Sequence, residues 1–248
     1  MYLKSSLHIH TKEDFSDGHA ITYSVYELID RAKELGFEVL ALTGHRKFIY
    51  KEEHGEYARA KGIILIPGIE LALKFFFRQN HVLVLNCGQS VENVKSFTEL
   101  GRFKKENPEA FVIAPHPNFS FIESMGRKRL KKFIGVFDAI EHSWFYTAKI
   151  NRNKKVEKIA KDFDLPFIAT SDIHYLKYFD TDYLMVDAKE KSVASILEAV
   201  RQGDYINCTR PKRITSLARY WAYFYFKYLI KLPLKFYRLQ KAKVALEE

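Results

Sequence analysis

The chain has 248 residues, 47% of them hydrophobic and 28% charged, with a net charge of +10 and two cysteines. That length and apolar fraction suit one α/β barrel plus an appendage and exclude a disordered, low-complexity protein. Two cysteines without CxxC spacing exclude a disulfide framework and point to a reducing, cytoplasmic setting. Met1-Tyr2-Leu3-Lys4-Ser5 opens the chain without the apolar h-region of a secretory signal. The charge is uneven: nine Lys/Arg against two Glu fall in residues 211–248. The chain therefore divides into a body, 1–210, and a basic tail, 211–248.

Apolar β-rich runs alternate with helical patterns along the body. Ser6–His10 reads as a first strand. Thr22 or Ser24 caps a helix with Val25, Leu28, Ile29, Ala32 and Leu35 at helical spacing and Gly36 as its stop. Glu38–Thr43 is the second strand, followed by a short helix around Glu52–Ala60, in which His54 reads as exposed. Ile63–Ile66, His81–Leu85 and Phe111–Ala114 are strands three to five, with a helix over Ser90–Lys105. Phe137–Glu141 and Pro166–Thr170 are the sixth and seventh, separated by a helix over Asn151–Phe163. Ser192–Gln202 is a last amphipathic helix, ended by Gly203. Seven strands alternating with helices predict parallel βα units, in an open doubly wound sheet or a barrel.

The chemistry-bearing residues gather at the strand ends, where a barrel collects its active groups. His8 and His10 are two apart on a strand and so share a face, and Asp17 lies in the Ser16-Asp17-Gly18 turn just beyond. His45 closes Thr43-Gly44-His45, Glu70 closes Pro67-Gly68-Ile69-Glu70, and His81 opens the next strand. His116 stands between Pro115 and Pro117, which stiffen its backbone. Asp172 and His174 repeat the spacing of two. Each motif alone is more often structural. Together they place six of the nine histidines in matching positions, a strong joint signal.

Imidazoles with carboxylates suit zinc, manganese or iron rather than a dedicated magnesium site. Glu70 has two oxygens with which to bridge cations, and closely spaced cations lower the pKa of a shared water and clamp phosphoryl oxygens. No serine or cysteine nucleophile is required. His19 reads as a solvated turn residue. His142, at the end of the sixth strand, is a minor candidate for substrate binding or general acid, and Arg46, Lys47 and Arg78 are candidates to grip a phosphate oxygen.

The ordered set HxH, SDG, TGH, GIE, H, HP and SDxH resembles the PHP (polymerase and histidinol phosphatase) superfamily, from about Leu7 to about Asn207. The resemblance implies a distorted (β/α)7 barrel holding two or three divalent metal ions. It assigns His8, His10, Glu70 and Asp172 to a first ion, Glu70, His81 and His116 to a second, and Asp17, His45 and His174 to a third. One departure is plain: relatives usually carry aspartate where this chain has Gly44. Loss of an orienting carboxylate beside His45 is expected to weaken or re-tune the third site.

In the tail, Arg219–Arg238 carries nine aromatics, with Lys227, Lys231 and Lys235 four apart and Pro233 as a helix breaker. It reads first as a helix packed on the barrel or a second subunit, then as an interfacial helix on anionic lipid, then as a stacking platform for nucleic acid. The expected activity is hydrolysis of a phosphomonoester on a small phosphorylated substrate by metal-bound hydroxide. The alternatives are a phosphodiesterase or nuclease, and a binding module recruited to membrane or nucleic acid with secondary catalysis.

Overall fold

A computed structural model of the chain describes residues 1–75, 78–118, 124–222 and 226, apart from the side chains of Phe75 and Arg78. The strands are β1 (Tyr2–Ile9), β2 (Val39–Leu42), β3 (Ile64–Phe75), β4 (Arg78–Leu85), β5 (Phe111–Ala114), β6 (Ala139–Ser143), β7 (Phe167–Thr170), β8 (Tyr183–Asp187) and β9 (Tyr205–Cys208). The helices are α1 (Val25–Glu34), α2 (Glu52–Ala60), α3 (Phe97–Glu106), α4 (Arg127–Lys132), α5 (Asn153–Asp162) and α6 (Val193–Gln202). Their sequences explain them. Ser24 and Glu27 form a capping box that starts α1, Ser96 and Glu99 do the same for α3, and Gly203, at φ +83°, ends α6.

The nine strands run in the order β7-β6-β5-β4-β3-β2-β1-β8-β9 and curl into a nearly closed barrel. The gap between the end strands is bridged by side chains. Asn207 on β9 accepts the Ala169 N–H at 2.6 Å and donates to the Phe167 carbonyl at 2.8 Å, while the Tyr205 hydroxyl accepts the Phe167 N–H at 2.9 Å. An edge that would otherwise present free backbone groups is covered.

The barrel class stands, but the all-parallel reading does not. β4 runs antiparallel to both β3 and β5, and β8, which the alternation of strands and helices does not reveal, runs antiparallel to β1. A two-residue link between β3 and β4 makes a hairpin, where a parallel connection needs a crossover of a dozen or more residues. The reversal matters for the site. His81 lies in the first half of β4, which begins at Arg78 rather than at His81, and only in a reversed strand does the first half lie at the mouth formed by the C-terminal ends of its neighbours.

Among the described residues, three apolar clusters hold the barrel. Leu3, Leu7, Val39 and Ala41 pack with Ile196 and Val200 of α6; Leu40 and Leu42 pack with Leu28 and Ile29 of α1; Val82, Val84 and Val112 pack with α3 and α5. Leu7 joins the first cluster and Ile9 the second, although they are two apart. The β1–β2 register shifts between Ser6 and Ile9, and such an irregularity re-aims side chains beside active sites. His54 is a correction: it is buried, with its ring edge-on to Tyr26 at 5.3 Å.

The barrel unit runs from Met1 to Pro211, and a second unit begins at Lys212. That second unit is helical over 214–222, and the later lysines and Pro233 on which the tail expectations rest lie outside the described residues. Among the described residues no helix is long and apolar enough to cross a membrane.

Candidate metal centre

Two backbone bridges beyond the strand ends assemble the centre. Ile9 pairs with Ile173, which sets Asp172 and His174 beside His8 and His10, and His45 pairs with Glu70. In the second bridge the Glu70 N–H donates to the Gly44 carbonyl at 3.0 Å, and the Arg46 N–H to the Glu70 carbonyl at 2.8 Å. On the β3–β4 hairpin, Glu70 lies opposite Leu83 and His81 opposite Ala72. Glu70 and His81 are therefore diagonal neighbours on one face.

Glu70, fully buried, is the hub. Its Oε2 lies 3.0 Å from His8 Nε2, 3.1 Å from His10 Nε2 and 3.2 Å from His45 Nε2. Its Oε1 lies 2.7 Å from His81 Nδ1 and 3.2 Å from His116 Nε2. Asp172 Oδ1 adds a second carboxylate, 3.5 Å from His8 Nε2 and 3.3 Å from His10 Nε2. His174 stacks on His10 at 4.5 Å, and its Nε2 lies 3.4 Å from Asp17 Oδ2. All nine expected ligands thus meet at one mouth.

The donor set fits divalent cations on its own chemistry. His81 Nδ1 is buried and makes no hydrogen bond, although it approaches Glu70 Oε1. His8 Nδ1 bonds Glu141 Oε2 at 2.8 Å and His10 Nδ1 bonds Asp14 Oδ2 at 2.9 Å. When those nitrogens carry the protons, both Nε2 atoms turn lone pairs toward the carboxylates, and acceptors facing acceptors need a cation or a proton between them. Among the described residues, four groups have donor atoms close enough to hold an ion: His8, His10 and Asp172; His8, Glu70 and His116; His45, Glu70 and His81; and His10, His45 and His174. Glu70 thus belongs with His8 and His116 as well as with His45 and His81, the arrangement of a bridging carboxylate.

Without cations, protons fill the role. Burial disfavours the His8 imidazolium, yet Asp172, Glu70 and Glu141 together push its pKa up to about 10. Against burial, His81, His45 and His8 hold Glu70 well below the usual carboxylate range. Backbone strain marks the same place. Arg46, His116 and Asp172 have φ of +61°, +28° and +44°, conformations that non-glycine residues keep only where the surroundings impose them.

Two buried carboxylates of the centre, Asp14 and Glu141, are absent from the motif reading. Glu141 lies in the middle of β6 but closes the strand Phe137–Glu141 read from the sequence, and a carboxylate at that position is the signal that would have found it. Asp14 sits in the loop after β1, with no spacing to mark it. Arg46 is exposed, and its guanidinium bonds the neutral Gln79 side chain, whereas Lys47 is paired with Glu92. His142 is not brought to the cluster. Its neighbour Glu141 takes the inward face of β6, and the His142 ring lies against Phe167 and Tyr146. The Arg78 side chain lies outside the described residues.

Six histidines and several carboxylates converge at one mouth of the barrel, with donor atoms close enough to hold metal ions. Residues 6–231 match the PHP domain. The chain belongs to the PHP domain family. It is 23% identical to the DNA polymerase III subunit alpha of Aquifex aeolicus over 219 residues, which cover 68% of this chain and 18% of that protein; the chain spans under a fifth of that relative. Among solved structures it resembles a two-domain protein from Bacteroides vulgatus containing a predicted PHP-like metal-dependent phosphoesterase, at TM-score 0.64 and 20% identity, covering 92% of this chain and 70% of that one. It also resembles the lesion-specific endonuclease EndoQ of Pyrococcus furiosus, at TM-score 0.59 and 12% identity, covering 88% and 66%.

Proposed function

We propose that this protein hydrolyses a phosphomonoester on a small substrate, with two or three divalent ions held by the nine ligands named above. The observation that carries the reading is Glu70, whose two oxygens face imidazoles from different strands. Zinc, manganese or iron suits these donors. Bound there, the ions would supply Lewis acidity toward the phosphoryl oxygens and a water of lowered pKa. The chain's own residues do the rest. Glu141 fixes the His8 ring, the strained backbone at His116 and Asp172 aims their side chains, and Arg46, which has no carboxylate against it among the described residues, would grip a non-bridging phosphate oxygen.

One observation favours a second reading, hydrolysis of a phosphodiester in a nucleic-acid strand. In a βα unit the helix starts at the mouth, and α4 and α5 open with the exposed cations Arg127, Lys128, Lys154 and Lys155. Neither helix has an acidic residue in its first turn. Cations there oppose the helix dipole, a local cost that suits a rim contacting a phosphate backbone. A panel of p-nitrophenyl phosphate, bis-p-nitrophenyl phosphate and an oligonucleotide, run on protein reconstituted with manganese or zinc, tests both. Monoester turnover alone supports the first reading and diester or oligonucleotide cleavage the second; no turnover on any substrate rejects both.

A further inference from the structure

We propose that Asp14 is a positioning residue that holds two imidazoles of the centre at once and supplies the orienting carboxylate that Gly44 does not carry. The proposal rests on the metal-centre reading. Asp14 Oδ2 accepts from His45 Nδ1 at 2.9 Å and from the His45 backbone N–H at 2.8 Å, besides its bond to His10 Nδ1. Asp14 Oδ1 accepts the backbone N–H groups of Ser16 at 2.8 Å and Asp17 at 3.0 Å. A carboxylate offers about four lone-pair sites, and these donors use them all. Asp14 therefore has nothing left to offer a cation, although it touches the ligands: it acts through them.

The shared oxygen has geometric consequences. The His10 and His45 rings lie nearly parallel, 4.2 Å apart and 20° from coplanar orientation, with both Nδ1 atoms on one acceptor. Both Nε2 atoms are thereby presented to Glu70 Oε2. His10 joins His8 and Asp172 in one candidate group, and His45 joins Glu70 and His81 in another. One carboxylate thus orients donors of two different sites. Its other oxygen fixes the backbone of Asp17, whose side chain reaches His174.

Position 44 is crowded by the side chain of Ile49. A Cβ on Gly44 would stand 2.8 Å from Ile49 Cδ1 and 2.9 Å from Ile49 Cγ1, a spacing that real side chains do not adopt. The expectation that Gly44 leaves His45 without an orienting partner is therefore corrected: Asp14, 31 residues earlier, provides it. Glu141 offers the contrast, since it bonds His8 alone among the ligands.

The test uses the full chain, stripped with a chelator and titrated with Co2+, followed by visible absorption and by elemental analysis after equilibrium dialysis. Asp14→Asn should weaken at least two binding steps, each by roughly 10–100-fold, and Glu141→Gln only one. An Asp14→Asn titration that matches wild type, or loses a single step, overturns the proposal. Imidazole 1H–15N NMR on zinc-loaded wild-type protein checks it without any variant. His10 and His45 should both carry their proton on Nδ1, and a proton on Nε2 of either ring overturns it. Wild-type protein that takes up no metal overturns the metal-centre reading as well, whereas normal uptake with an unaffected Asp14→Asn overturns this proposal alone.

Discussion

His8 Nε2 and His10 Nε2 lie 3.0 Å apart, and the other nitrogen of each ring faces a carboxylate. Two lone pairs at that distance repel, so a proton or a cation belongs between them. Metal and protons therefore compete for the centre, and this competition has a measurable pH signature.

In metal-free protein His8 titrates at about 10. His116 titrates at about 9, because contact with Glu70 outweighs its burial. A pKa raised on folding gives stability that is fully present below the unfolded value, about 6.5, and lost as pH rises through the folded value. Thermal midpoints in chelator should thus fall as pH climbs through about 9 to 10, and metal-loaded protein should not show that fall. Equal slopes with and without chelator would reject the competition.

Glu70→Gln removes the charge on which five imidazoles converge while keeping the side chain's shape. Metal content should drop by more than one ion per chain. Turnover should fall by more than the roughly 10–100-fold typical of outer-sphere partners. Elemental analysis and steady-state kinetics on the same preparation check both, and full occupancy in the variant would contradict the bridging role.

Arg46→Ala should lower kcat/KM by about 10–100-fold, the worth of one charge-assisted hydrogen bond of about 1.5–3 kcal/mol, with metal content unchanged. His142→Ala should leave kcat/KM near wild type, since its ring packs on Phe167 and Tyr146. The reverse pattern would move the substrate to the other side of β6.

Gly44→Ala should destabilise the protein by about 1–3 kcal/mol through overpacking. Adding Ile49→Val, which trims the side chain its Cβ would strike, should return part of that loss. A denaturant-melt cycle over the four combinations measures the coupling, and strictly additive effects would mean that the close approach does not matter.

Much of this centre is legible in the sequence because a barrel ties ligands to strand ends. His8 and His10, His45, Glu70, Asp172 and His174 each follow a β-type run, and period-two spacing fixes their common face. The capping boxes at Ser24 and Ser96 are equally local, as is the stop at Gly203. Asp14 and Glu141 are harder to see, since what marks a positioning carboxylate is its partner, and His45 and His8 are distant along the chain.

The sequence by itself determined which residue types reach the mouth and in what order, because strand periodicity and turn chemistry act over a few residues. The tertiary structure decided the reversal of β4 that carries His81 to the mouth, the insertion of β8 beside β1, and the single oxygen of Asp14 shared by two rings. Those outcomes depend on pairings between segments tens to hundreds of residues apart, whose register no local pattern records.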